Sequence, residues 1–158
     1  MVQHEGEKMS KSLGNLVMIR DLLEDWSVDA LRIYMAMHHY RVAWSHNLEQ
    51  LAQAASLSDR LKMAAQAESG VGPSYNPLTF RVAFAEAMDN DLDTPSALQV
   101  LGELAGEILS ASSQGKDISM AQTVLRTLSG TFGLRLDITS PESRVQNGWS
   151  EHARRFQA

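Results

Sequence analysis

Two lysines and two serines alternate near the start of the chain, in Lys8-Met9-Ser10-Lys11-Ser12, with Gly6 before them and Gly14 after. Lysine ammonium groups are compact donors that suit phosphate oxygens. Serine hydroxyls and exposed backbone N–H groups add hydrogen bonds, and the flanking glycines let the chain approach a ligand closely. A helix predicted just beyond brings the partial positive charge of its N-terminus to the same place. These features suit a mobile loop that clamps a polyphosphate. The same residue types equally describe a solvated surface loop. The common nucleotide loop G-x-x-x-x-G-K-[ST] is absent from the sequence.

Other clusters offer weaker chemistry. Asp89, Asp91 and Asp93 open like a calcium-binding loop, but the sixth position is Thr94 where glycine is required and the twelfth is Val100 where glutamate is required. The acidic run is therefore taken as the approach to a helix capped by Thr94, where negative charge favours the N-terminus. His38 and His39 are adjacent on a predicted helix and point in different directions, which suits a buried or hydrogen-bonded pair better than a metal pair. Met35 and Met37 are expected to fill the core. Trp26 and Trp44 are expected to pack where the two regions described below meet.

The elements that must position these residues are helical. The chain has 158 residues, 44% apolar and 21% charged, with only 6% aromatic residues and four prolines. That composition favours a mainly α protein over a sandwich or barrel. With no cysteine, disulfides and thiolate metal sites are excluded. No apolar run approaches the ~20 residues needed to span a bilayer, so no membrane partner is expected. The first residues lack the apolar stretch of a secretory signal. A net charge of -5 argues against a nonspecific nucleic-acid coat.

Residues 1–15 are polar and are expected to form a loop. Asn15 would cap a first helix running from Leu16, and Ser27 a second from Val28 to about His38, apolar nearly all round and so well buried. Residues 41–46 read as a connector. A third helix is predicted from Leu48 to about Glu68, followed by the loop Ser69–Tyr75. Pro77 and Pro95, each at a first helical position, open helices reaching about Met88 and Ala111. Met120, Val124, Leu125, Leu128 and Phe132 define a last helix that Gly133 stops. The expected division is 1–46, a loop and two helices, and 47–158, an antiparallel helical bundle.

The motif also carries a resemblance. Lys8-Met9-Ser10-Lys11-Ser12 is identical to the KMSKS signature of class I aminoacyl-tRNA synthetases, and the wider Gly6–Asn15 text resembles its form in the cysteinyl-tRNA synthetases. Asp29-Ala30-Leu31-Arg32 with His39-Tyr40-Arg41, and then Ala87-Met88-Asp89-Asn90-Asp91-Leu92-Asp93-Thr94-Pro95-Ser96-Ala97-Leu98, are similar to later segments of that family in the same order. The resemblance spans roughly residues 5–110, and from about 112 no signature is evident.

The resemblance implies a cytoplasmic, monomeric ligase that uses ATP with Mg2+ to activate cysteine and transfers it to tRNA(Cys). Residues 1–46 would be the end of the catalytic region, carrying the ATP-clamping loop and the stem-contact helices. Residues 47–158 would be a DALR-type tRNA-binding bundle. Lys11 would contact phosphate, supported by Lys8 and Ser10, with Met9 and Ser12 completing the loop. Losing one such cationic donor would cost ~3 kcal/mol, around 10²-fold in rate. Arg32, Arg41, Arg60, Lys62 and Arg81 are the candidates for RNA contact. Acidic residues outnumber basic ones by 13 to 9 within 47–158, so a basic stripe must be local.

The sequence also departs from the family. It lacks the HIGH motif, the nucleotide-binding Rossmann opening, the zinc site that selects cysteine, and the small anticodon-reading domain. It is therefore expected to be a fragment, inactive alone, with zinc only on the missing domain. Two other readings stand beside it: the cysteine–glucosaminyl-inositol ligase of the mycothiol pathway, which shares KMSKS but binds no tRNA, and a non-catalytic RNA-binding module.

Overall fold

The computed structural model describes residues 2–4, 7–8 and 16–136, and among them it is mainly α, as expected. The described elements are β1 (Val2–His4), β2 (Glu7–Lys8), α1 (Ile19–Leu22), α2 (Val28–Ala36), β3 (Trp44–Ser45), α3 (Leu48–Gln66), α4 (Leu78–Asp89), α5 (Thr94–Ser113) and α6 (Ser119–Gly130).

The strands are a departure from expectation. The first fifteen residues hold two short strands where a loop was predicted, and the connector 41–46 contains a third. They form one small sheet in the order β2-β1-β3. β1 pairs antiparallel with β2, Gln3 opposite Lys8, and parallel with β3, Val2 opposite Trp44. Strands of two or three residues are too short to show an alternating pattern, so their pairing is set by what packs around them.

The helical core follows from periodicity. On α5, Ala97, Leu98, Leu101, Leu104, Ala105 and Ile108 are all buried, and the helix packs against α2, α3, α4 and α6. Repeats of three and four residues put these side chains on one wide face. α3 buries Leu51, Ala54, Ser58, Leu61, Ala64 and Ala65 against α2, α5 and α6. Its last turn is closed from outside: the Gln122 side-chain amide donates to the carbonyls of Ala64, Ala65 and Ala67, and Arg126 also donates to Ala65. Carbonyls of a last turn lack the usual N–H four residues on, and beside the long Ala67 N–H contact to Ala64 the donors come from α6.

Several boundaries differ from the predicted ones. The first helix is a single turn whose N-cap is Met18, with no side-chain cap; Asn15 lies outside the described residues. Pro77 is the N-cap of α4 and not its first residue, and the Asn76 side chain accepts from the Leu78 N–H. The cap of α5 is Asp93, not Thr94: its carboxylate accepts from the Ser96 N–H and hydroxyl three residues on, the spacing a capping side chain needs. α2 is less buried than predicted, since Val28 and Met35 are exposed, so Met35 is not a core filler.

A loop clamp closes the far end of the bundle. Gly70 and Gly72 donate to the Lys116 and Gly115 carbonyls, and Tyr75 to that of Asp117. The Asp117 carboxylate accepts from Ser69 and from Ser119 at the start of α6, and these donors hold it below the usual carboxylate range. α6 ends at Gly130 with Thr131 as its C-cap, short of the predicted stop; Gly133, at φ 70°, lies in the turn that follows, its N–H donating to Gly130.

Candidate functional site

The lysine signature enters the fold through the small sheet. Lys8 ends β2 opposite Gln3 of β1; the side chains of Lys8, Met9, Ser10, Lys11 and Ser12 lie outside the described residues. What the structure describes is the support beneath them. β1 lies on β3, and β3 is fixed to α2 by an aromatic cluster. The His38 ring stacks on Trp44 at 3.8 Å between centroids, and Tyr34 meets the His38, Trp44 and His46 rings edge-on.

Polar contacts fix the same cluster. The Tyr34 hydroxyl accepts from the Asn47 N–H at 2.8 Å and shares a hydrogen bond with His46 Nδ1 at 3.0 Å. Burial raises the Tyr34 pKa above the ordinary phenol value, so it stays a donor. His38 Nδ1 donates to the Tyr34 carbonyl at 2.9 Å, and its Nε2 is 3.2 Å from the Gln50 side-chain amide. Trp44 thus packs on the Tyr34 and His38 rings of the α2 region, and those two side chains reach Asn47 and Gln50 at the start of α3. Trp26 is half-buried against the core.

Below the cluster, Asp29 ties three segments together. It is buried and its carboxylate accepts from the Arg135 N–H at 3.3 Å. Lys62 Nζ of α3 lies 3.6 Å away and Arg32 3.8 Å away. Arg32 also donates to the Gly133 carbonyl at 2.7 Å. The Asp29-Ala30-Leu31-Arg32 block is therefore a knot between α2, α3 and the chain after α6. Asp29 had not been singled out for any role; its signal was only that an aspartate falls between apolar positions of a helix.

The five cationic candidates fall at different places. Arg32 and Lys62 converge on Asp29. Arg41 is engaged with Asp91 in the turn between α4 and α5: Nε donates to one carboxylate oxygen at 2.7 Å and Nη2 to the other at 3.0 Å. Arg60 lies over Gly102 of α5, and Arg81 is exposed on α4. Arg41 and the Tyr40 hydroxyl together hold the Asp91 carboxyl below its usual range. Asp93 is spent on its cap, so the acidic run serves an ion pair and a helix start. His39 donates through Nε2 to the Asp91 carbonyl, and its Nδ1 accepts from the Arg41 N–H. Among the described residues no three His, Cys, Asp or Glu side chains converge as a metal site. None of their helices is long and apolar enough to cross a membrane.

The strand that ends on Lys8 is followed by helices that carry the Asp29 knot. A family model for the catalytic domain of class I (C) tRNA synthetases matches residues 1–56, and one for the DALR domain matches 83–137. The second match runs through α6, beyond the residues that carried the resemblance. The relative from Alkalilimnicola ehrlichii is 38% identical over 152 residues, 93% of this chain. Those from Haemophilus influenzae and Dehalococcoides mccartyi are both 35% identical, over 94% and 85% of the chain. All three relatives are named cysteine–tRNA ligase, and the chain belongs to that family. It spans about a third of their length, 30–32%.

Proposed function

We propose that this chain works as part of a cysteine–tRNA ligase, in which residues 1–46 carry the loop that closes on ATP and 47–158 form the helical region that meets tRNA(Cys). The observation that carries this reading is the order of the matches: catalytic-domain text with an intact KMSKS at its start, then DALR text, with similarity to cysteine–tRNA ligases along nearly the whole chain. The tRNA-ligase name of these relatives favours this reading over the mycothiol-pathway ligase.

ATP, bound with Mg2+, would supply the adenylyl group: the cysteine carboxylate attacks the α-phosphorus and pyrophosphate leaves. The part played by this chain is charge and position. Lys11 donates to phosphate oxygens, with Lys8 and Ser10 beside it. Met9 and Ser12 shape the same loop. The sheet β2-β1-β3 sets where that loop begins. Zinc belongs with cysteine selection, and no step is assigned to this chain through it. On the RNA side, Arg81 and Arg60 are exposed and, among the described residues, in no ion pair, and so are the first to test. Arg32, Lys62 and Arg41 would contribute mainly by holding the frame. RNA would be met through shape and backbone phosphates.

The test is binding of tRNA(Cys) and of an unrelated tRNA to the 158-residue chain at two salt concentrations. Expected are tighter binding of tRNA(Cys) by about tenfold or more, weakening with salt, and a further loss with Arg81→Gln. Equal affinity for the two tRNAs would set this reading aside in favour of a non-catalytic RNA-binding module, and none for either would do so in favour of the thiol ligase.

A further inference from the structure

Three consecutive side chains grip one residue of the α4–α5 turn. Arg41 binds both carboxylate oxygens of Asp91, and the Tyr40 hydroxyl donates to one of them at 2.6 Å. His39 donates to the Asp91 carbonyl at 3.1 Å. The gripping side chains also stack on one another: the His39 and Tyr40 rings lie 4.9 Å apart, and the Arg41 guanidinium lies 5.0 Å from the Tyr40 ring centroid. An exposed lone ion pair contributes little, but a bidentate pair within a network is the exception.

The gripped turn is itself strained. Asp91 and Leu92 have φ of 53° and 54°, the left-handed region, in succession. Aspartate tolerates that conformation and leucine does so poorly. Such a turn persists only where its surroundings hold it. His39–Arg41 lies three residues ahead of Trp44, where β3 begins, and β3 pairs with β1 beside the β2 strand that ends on Lys8.

We propose that Asp91 is a positioning residue: through His39, Tyr40 and Arg41 it fixes β3, and through the sheet it sets, from the α4–α5 turn of the bundle, the place of the strand that ends on Lys8. The latch joins the segment matched as catalytic domain to the segment matched as DALR domain. Its importance for ATP and tRNA rests on the function proposed above; its mechanical part does not. Whatever displaces the α4–α5 turn would be transmitted to the start of the signature loop.

Backbone amide exchange on the 158-residue chain tests this, with Asp91→Asn chosen because asparagine also tolerates the left-handed backbone. Asp91→Asn and Arg41→Gln should each speed exchange at residues 38–46 and 2–8 about fivefold, while α3, α5 and α6 keep their protection. The double variant should be no faster than either single one, and Arg41→Lys should recover part of the protection. Unchanged exchange at 2–8 and 38–46, or a uniform loss across the bundle, would overturn the proposal. So would a gain in tRNA affinity with unchanged exchange, since Asp91 would then only be screening a cation. If the wild-type chain binds no tRNA but the exchange responds as stated, the latch stands and the synthetase reading falls.

Discussion

The segment from residue 16 to 46 and the bundle from 47 to 136 are held by different forces. Of the fourteen large apolar side chains left exposed among the described residues, eight lie between Leu16 and Val42, and only six lie along the much longer bundle. The bundle buries Leu51, Leu61, Leu101, Leu104, Ile108, Ile118 and Leu125 completely or nearly so, whereas of the largest fully buried side chains the first segment contributes Ile33 alone. In place of area, the first segment has directional contacts: the Tyr34–His38–Trp44 stack, the Asp29 knot and the Asp91 latch. Burial is non-directional and makes a rigid frame. Hydrogen-bonded side chains set particular positions, and the segment they hold carries β3, which pairs with β1.

The sharpest way to break that contrast is to remove apolar mass from each region. Leu104→Ala should cost about 3–4 kcal/mol in chemical denaturation, because its site in α5 is fully buried against several helices. Leu23→Ala, at a position 44% exposed, should cost below ~0.5 kcal/mol. Equal costs would mean that the first segment is as well packed as the bundle.

The complementary cut removes a directional contact. Asp29→Ala should cost about 3 kcal/mol, because it strips the acceptor from the Arg135 N–H and leaves the largely buried Lys62 ammonium without its carboxylate. The loss should show in thermal or urea unfolding. A cost below ~1 kcal/mol would show that the knot is ornamental and that the first segment is held by something else.

These two forces also explain what was legible in the sequence. The bundle could be read because burial imposes a period: Leu101, Leu104, Ala105 and Ile108 recur at helical spacing whatever surrounds them. The helix ends were less legible. Thr94 and Asp93 are both competent caps, and only the backbone geometry decides that Asp93 reaches Ser96. The region before the bundle could be read by residue identity, through Lys8–Ser12 and Asp29–Arg32, but not by geometry. β3 is two residues long and exists because Trp44 stacks on His38, a contact no local pattern announces. Likewise the charge of Arg41 and Lys62 is plain in the sequence, but their carboxylate partners come from other elements, fifty residues away for Asp91, whereas Arg32 meets Asp29 on its own helix.

The smallest effects test the loop clamp that closes the bundle, through two glycines with opposite expectations. A Cβ on Gly70 would lie 2.0 Å from the Gly115 carbonyl oxygen, a backbone atom that cannot swing aside. Gly70→Ala must therefore push residues 70–75 off 115–117, breaking the Gly70 and Gly72 hydrogen bonds, and should cost about 2 kcal/mol. Gly106, on the exposed face of α5, has nothing within 4 Å of its Cβ position. There Gly106→Ala takes freedom only from the unfolded chain, and should stabilise by about 0.5–1 kcal/mol. Both follow from one set of denaturation curves. A loss at Gly106 would mean that its face of α5 is covered in solution. A neutral Gly70→Ala would mean that the bundle does not depend on the clamp, and that apolar burial alone closes it.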